Sequence, residues 1–362
     1  MALAHRFPCQ TCGSDLRFSP GTFQLECDHC GAVEPIEGET PRIKELDFHS
    51  ALGAELPEED IAEIKTAICE NCGAHVEFER DSHATECPFC ATPIVTDTGP
   101  ERQIKPRGLL PFALKERDAR AKMTEWLGAL WFAPNGLREY ARKGRAMEGM
   151  YVPYWTYDAD TASRYRGQRG TIYYVTEQVR VVVDGKRTVQ NRQVQKIRWK
   201  PVRGRVARFF DDVLVLGSRS LPKGFTDALA PWDLSGLEPY QPEYLAGFRA
   251  EGYTVSLEDG FSEAQAYMNR MILRDVKFDI GGDRQRVEDI DTDINDITFK
   301  HILLPVWIAA YKYRGRTYRF VVNGRTGKVQ GERPYSKIKI AIAVVAGLIL
   351  AAAIGAVIAT NS

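Results

Sequence analysis

Apolar residues recur along this chain with different periods, and each period predicts a different kind of element. From Ala113 to Phe132 they fall at helical spacing, through Leu114, Met123, Trp126, Leu127 and Leu130, and Pro134 to Gly136 stops the run. A second helix is predicted from Leu137 to about Met147. From Met150 to Leu216 the pattern turns to strands. Thr171 to Val183 is rich in Val and Tyr, Asp184-Gly185 reads as a hairpin turn, and Thr188 to Trp199 returns. Helices are predicted again at Glu243 to Glu251 and Gly260 to Val276. Strands at Ile302 to Tyr313 and Thr317 to Val322 follow, and a turn at Asn323-Gly324 leads to Lys328 to Gln330.

The last stretch has no polar face. Ile340 to Ala359 holds twenty residues without a charge, a proline or a strongly polar side chain. A helix of that length spans about 30 Å, the thickness of a bilayer's hydrocarbon core. A buried core helix would need something packed around it, and only Thr360, Asn361 and Ser362 follow. Arg333, Lys337 and Lys339 precede the run, so the positive-inside rule predicts a single-pass tail anchor in the inner membrane with the N-terminal domains cytoplasmic. Gly347, Ala351, Gly355 and Ala359 recur every fourth residue, a face through which a second copy's helix can approach closely.

The eight cysteines form two copies of one pattern, sixty residues apart. Cys9, Cys12, Cys27 and Cys30 recur as Cys69, Cys72, Cys87 and Cys90, each set reading C-x2-C, fourteen residues, C-x2-C. This is zinc-ribbon spacing: each pair forms a tight knuckle, the excursion is long enough for a hairpin, and four thiolates close a tetrahedral shell. Leu16 with Phe18 and Val76 with Phe78 stay in register within the repeat. Two structural Zn2+ sites are therefore expected. Each would contribute roughly 10–16 kcal/mol of binding free energy to modules too small to bury much core. Met1 to Cys12 has no apolar signal-peptide core, which favours reduced thiols over a disulfide framework. Four cysteines leave no open coordination position for catalysis.

Charge sums to zero but is unevenly spread. Glu34 to Glu63 carries ten acids against Arg42 and Lys44, which reads as a solvated acidic connector with one short helix near Glu58 to Cys69. Arg164 to Arg208 carries thirteen Lys and Arg against Glu177 and Asp184. Three readings of that excess stay open: a solvated sheet face, a surface for anionic lipid, or a nucleic-acid site, with Arg192, Lys196, Arg198, Lys200, Arg203 and Arg205 as the contact residues. Both ribbons are acidic, which argues against nucleic acid as their partner.

Catalytic motifs are not found. Gly324, Gly327 and Lys328 lack Walker spacing, and no G-x-S-x-G occurs. His301 lies in an apolar strand-like stretch and reads as structural. Asp289, Asp291, Asp293 and Asn295 alternate like the start of a calcium loop but lack the glycine and distal glutamate of an EF-hand, so a solvated strand or loop is the stronger reading. Val152-Pro153-Tyr154-Trp155 and Leu304-Pro305-Val306-Trp307 each follow a predicted helix and precede a strand, which suggests two related halves.

Several runs carry a family likeness: Gly108-Leu109-Leu110-Pro111-Phe112, Leu130-Trp131-Phe132-Ala133-Pro134, Tyr151-Val152-Pro153-Tyr154-Trp155, Tyr244-Leu245-Ala246-Gly247-Phe248, Leu303-Leu304-Pro305-Val306-Trp307 and Val322-Asn323-Gly324-Arg325-Thr326-Gly327-Lys328-Val329. With them the chain resembles the YdjG-like bacterial membrane proteins over nearly its whole length. Members are often labelled primosomal protein N′ or replication factor Y helicase, a label this sequence does not support because it has no helicase nucleotide site. The resemblance implies cytoplasmic tandem ribbons on a membrane tether, with SPFH (flotillin-like) or PspA-like envelope-stress proteins as partners. Only the eight cysteines carry over position by position.

The expectation is an α+β multidomain chain. Zinc ribbon 1 covers 1–34, an acidic linker 35–63, zinc ribbon 2 64–98, a mixed α/β domain with antiparallel β-sheet 99–335, and a transmembrane tail anchor 336–362. The expected role is a non-enzymatic adaptor at the membrane, with a nucleic-acid-associated factor using the basic sheet 164–208 as the alternative.

Overall fold

The computed structural model describes residues 7–36, 43–53, 56–69, 75–77, 84–87, 92–95, 100–134, 147–183, 186–313 and 316–360. The first cysteine module is a three-stranded antiparallel sheet, β1 (Leu16–Phe18), β2 (Gln24–Cys27) and β3 (Val33–Pro35). Leu16, Phe18 and Leu25 are buried on one side, as alternation in a strand requires. They pack into the main core. The Phe18 N–H donates to the Ala246 carbonyl at 2.9 Å, and the Phe18 ring meets Tyr244 edge-on at 5.2 Å. This module is thus built into the larger domain.

The acidic segment that follows is docked in part. β4 (Leu46–Asp47) pairs with Phe299 and Thr298. α1 (Phe48–Leu52) starts at Asp47, whose carboxylate accepts from the Ser50 N–H at 2.7 Å, and buries Phe48. Where a helix was expected near Glu58 to Cys69, a 3-10 turn over Glu58–Asp60 leads into β5 (Ile61–Ile68). Pairing decides this: β6 (His75–Glu77) takes one edge of β5 and β9 (Pro100–Ile104) the other, and β-branched Ile61, Ile64, Thr66 and Ile68 suit a strand. Between them lies the hairpin of β7 (Ala84–Glu86) and β8 (Pro93–Val95).

The sixty-residue repeat holds in register. Gln24↔Pro35, Leu25↔Glu34 and Glu26↔Val33 recur as Ala84↔Val95, Thr85↔Ile94 and Glu86↔Pro93. The bridge Pro8↔Asp15 recurs as Ile68↔His75.

The main domain is organised by three very long strands. β10 (Gly108–Leu109) and α2 (Glu116–Ala129) precede β11 (Glu148–Val183) and β12 (Lys186–Leu216), which form one hairpin. The helix expected from Leu137 to Met147 falls outside the described residues as far as 146. After α3 (Lys223–Leu229) and β13 (Glu238–Pro239), the helix expected at Glu243 to Glu251 is instead a 3-10 turn over Pro242–Leu245 followed by β14 (Arg249–Ala250). Gly247, at φ +82, breaks the helical run there. α4 (Leu257–Ile280) and β15 (Arg284–Tyr313) follow, then β16 (Arg316–Asn323), β17 (Val329–Gly331) and α5 (Lys337–Thr360). Among the described residues the sheet order is β12-β11-β15-β10-β13, with β14 beside β11, β4 beside β15, and β16 and β17 continuing from β15.

The two tryptophan motifs meet at the centre of this sheet. β11 and β15 run antiparallel, and Val152 pairs with Leu304, its counterpart in the other motif. Met150 and Tyr151 pair in parallel with Arg249 and Ala250, as Ile302 and Leu303 do with Gly108 and Leu109. Trp155 Nε1 donates at 3.0 Å to the carbonyl of Val255, two residues before α4. Trp307 Nε1 donates at 2.9 Å to that of Leu114, two residues before α2. Each helix-and-strand unit latches the other through its tryptophan, a local two-fold arrangement.

α4 covers one face of the long strands. Leu257, Gly260, Ala264, Met268, Ile272, Val276 and Ile280 recur every three or four residues and are buried against Trp155, Tyr157, Phe210, Val213 and Phe299. Ser256 caps its start, accepting from the Asp259 N–H at 3.1 Å. Gly281, at φ +63, ends it, and Arg169 Nε hydrogen-bonds the Ile280 carbonyl, where a cation suits the helix dipole. Around the tryptophan motifs the opposite face is covered by Leu221, Phe225 and Leu229, and from Asp160 onward, at Asp160, Ala162, Arg164 and Arg166, it is open to solvent. α5 is different again: the 19 residues Lys337–Gly355 are long and apolar enough to cross a membrane, and none of them is buried in the fold.

Candidate functional site

The knuckles of the first module are shaped by the backbone. Cys9 and Cys27 accept through their carbonyls from the N–H of Gly13 and Gly31 at 2.8 and 2.9 Å. Both glycines sit at positive φ, +74 and +72, where a Cβ would be strained. These turns bring all four sulfurs within 4.8 Å of one another. Cys9 Sγ lies 3.6 Å from Cys30 Sγ, and Cys12 Sγ 3.6 Å from Cys27 Sγ. A disulfide needs about 2.05 Å, so the thiols are free. A tetrahedron with metal–sulfur bonds of about 2.3 Å has edges of about 3.8 Å, close to the separations seen. The four sulfurs fit one tetrahedral cation.

Their protonation points the same way. The backbone N–H groups of Cys12 and Thr11 lower the Cys9 thiol, and that of Ser14 lowers Cys12 to about 6. The Ala32 N–H also favours a thiolate at Cys30, yet the neighbouring sulfurs, Cys12 first, push it up to about 12. Four thiolates this close need a cation among them. Cys9 and Cys27 are buried, whereas Cys12 and Cys30 face outward.

In the second module Cys69 and Cys87 are both buried, and the Cys87 N–H donates to Thr92 at 2.8 Å as Cys27 does to Ala32 at 2.9 Å. Cys72 and Cys90 lie outside the described residues. The metal-site fit is therefore read from the first module.

The basic segment occupies β12 and divides between two faces. Arg192, Lys196, Arg198 and Lys200 alternate onto the side that carries Val202 and Val206, which pack toward α4 farther along the strand. Arg203 and Arg205 point to the open side. There Arg203 lies across from Arg166 and Arg205 from Arg164. Arg166 pairs with Asp289 at 3.0 Å, and Arg164 with Asp291 at 3.2 Å and Asp293 at 3.5 Å. The alternating aspartates are thus a solvated strand answering a row of arginines. Lys196 Nζ meets Glu177 at 2.7 Å, and the Arg198 guanidinium stacks 5.1 Å from the Tyr173 ring.

β15 leaves β11 at Gly170↔Arg284, while the β11–β12 hairpin continues from Thr171↔Arg198 to Val183↔Lys186. That two-stranded arm of thirteen residue pairs is about 43 Å long at 3.3 Å per residue. Tyr174 and Val189 are exposed on it.

A buried charge cluster escaped the sequence reading. Lys300 Nζ lies 2.9 Å from Glu45, 2.7 Å from Asp212 and 3.6 Å from Asp158. Asp158, Asp211 and Asp212 are grouped closely enough for a cation, but the Lys300 ammonium already supplies the positive charge beside two of them. His301 is buried, with Nδ1 2.7 Å from the Ile104 carbonyl, and burial lowers its pKa to about 4. It is a neutral core histidine.

No protein-family model matches the chain, and no solved structure matches it significantly. Among curated proteins it is similar to the uncharacterized protein YdjG of Bacillus subtilis (strain 168), 26% identical over 342 residues, with 92% of each chain covered. It agrees with the resemblance to YdjG-like proteins.

Proposed function

We propose that the protein is a non-enzymatic adaptor, anchored in the inner membrane by α5, with zinc in both cysteine modules and a cytoplasmic surface that binds other proteins. Zinc is the ion of choice because four thiolates in a closed tetrahedron suit it and leave no position for substrate. The observation that carries the adaptor reading is the arm. The β11–β12 hairpin extends thirteen residue pairs beyond the end of β15 and presents Tyr174 and Val189 to solvent. A long ribbon with exposed apolar side chains is costly to keep unless something docks on it. SPFH (flotillin-like) or PspA-like proteins are the partners this reading takes from the family resemblance.

Lys196 and Arg198 on one face of the arm, with Lys200 on the same face at its base, favour a second reading, contact with anionic lipid or nucleic acid. One experiment separates the two. The full-length chain and a variant with residues 173–196 replaced by a two-residue turn are solubilised in detergent and affinity-purified. The adaptor reading expects proteins that co-purify with the full chain and are lost with the short arm. Recovery of no protein, together with DNA that is retained at low salt and released at moderate salt, would overturn it.

A further inference from the structure

The turn after α2 carries two large rings that the fold does not take up. Trp131 is 78% exposed and Phe132 40%, while Ala133 beside them is buried. Every other tryptophan of the chain is at least half-buried. Position accounts for the exception. The Phe132 carbonyl accepts from the Ser336 N–H at 2.8 Å, and the Ala133 carbonyl accepts from Lys339 Nζ at 2.8 Å. Backbone carbonyls thus strap this turn to the first turn of α5.

The strap sets its depth relative to the apolar helix. Ile340, where the uncharged run begins, lies four residues beyond Ser336, about 6 Å along the axis. The headgroup layer on each side of the hydrocarbon core is about 5–7 Å thick. If α5 crosses the bilayer, the turn therefore lies in that layer. Tyr335 is 57% exposed at the same level, its hydroxyl accepting from Arg333 Nε at 3.1 Å with the guanidinium 5.4 Å from its ring. Tryptophan and tyrosine favour this depth because the ring is apolar and its N–H or O–H stays wet. Lys337 and Lys339 add the positive charge that anionic headgroups attract.

We propose that the Trp131–Phe132 turn is a second membrane contact: both rings enter the headgroup layer of the bilayer that α5 crosses, and they hold the folded domain in one orientation against it. The inference rests on reading α5 as a membrane span. The strap ties the turn to α5, and rings seated in the headgroup layer fix how the domain tilts against the bilayer.

Full-length protein is reconstituted in vesicles of equal phosphatidylcholine and phosphatidylglycerol, with and without bromine on the upper acyl chain, and tryptophan emission is recorded. Bromine is expected to quench the native protein. Trp131→Phe, which leaves the backbone strap intact, is expected to lose most of that bromine-dependent quenching while staying resistant to alkaline extraction. Equal quenching of variant and native protein, both resistant to extraction, would overturn the second contact and leave the anchor standing. Release of the native protein by alkali would overturn the anchor and this inference with it.

Discussion

Replacing Lys300 with methionine removes a cation from a buried nest of carboxylates, and the consequence can be worked out. The side chain is 8% exposed and its Nζ touches Glu45, Asp212 and Asp158 at 2.9, 2.7 and 3.6 Å. Asp212 sits at the irregularity in the β11–β12 ladder with φ 51, and its N–H donates to Asp158 at 2.6 Å. Burial, reinforced by the shared hydrogen bond with Glu45, pushes Asp158 up to about 7. Burial also raises Glu45, but hydrogen bonds from Thr298 and Asp158 and the Lys300 charge bring it down to about 2. Uncompensated buried charge costs roughly 3–5 kcal/mol. Glu45 is partly solvated and a proton can sit on Asp158, so the lower end, about 3 kcal/mol, applies. At about 2–4 °C per kcal/mol this lowers the melting temperature by about 6–12 °C.

The sign of the pH dependence follows from the same groups. Without Lys300 the Asp158 carboxyl, already raised by burial, rises further above its unfolded value near 4, and Glu45 loses part of what holds it down, so the folded variant binds more protons than the folded native protein in that window. Stability of the variant then falls as pH rises, and its deficit against the native protein is larger at pH 8 than at pH 5. Melting followed by far-ultraviolet circular dichroism in detergent at the two pH values checks this. A deficit below about 1 kcal/mol at both, or one larger at pH 5, would refute the reasoning.

Gly260→Ala places a Cβ 2.4 Å from Tyr157 Oη and 2.9 Å from Trp155 Cδ1, which forces α4 outward and weakens the 2.7 Å bond from Tyr157 Oη to the Leu257 carbonyl. Overpacking of about 1–3 kcal/mol should exceed the roughly 1 kcal/mol gained in helix propensity, so the variant melts lower. Gly13→Ala meets nothing within 4 Å, so its cost is the strain of φ +74 alone, about 1–2 kcal/mol, with metal content unchanged by elemental analysis. Acidification should release metal as protons compete for the four thiolates, and a chromogenic chelator would follow that loss below neutral pH.

Much of this architecture was legible where the signal is local. The spacing of Cys9, Cys12, Cys27 and Cys30, the apolar tail and the stripe from Gly260 to Val276 each carry their own period, and each appears in the fold. Glu45 and Lys300, by contrast, are brought together across 255 residues, and no local pattern joins them. The predicted helices near Glu58 and Glu243 failed because strand pairing at β5 and Gly247 at positive φ outweighed their composition. The arm was half-legible: its hairpin could be read from Val and Tyr, but its length depends on where β15 ends. Alternation along one strand separates Arg203 and Arg205 from the other four basic residues, and the register adds what they lie across from, Arg166 and Arg164. The shared P-x-W motifs became meaningful once Val152 was found opposite Leu304.

Metal content of the purified full-length chain tests the central claim most directly. Elemental analysis by plasma mass spectrometry should find two zinc ions per native chain, and one in a Cys9→Ser, Cys12→Ser variant that keeps its membrane attachment. A native chain without zinc, or a variant that still carries both ions, would contradict the account.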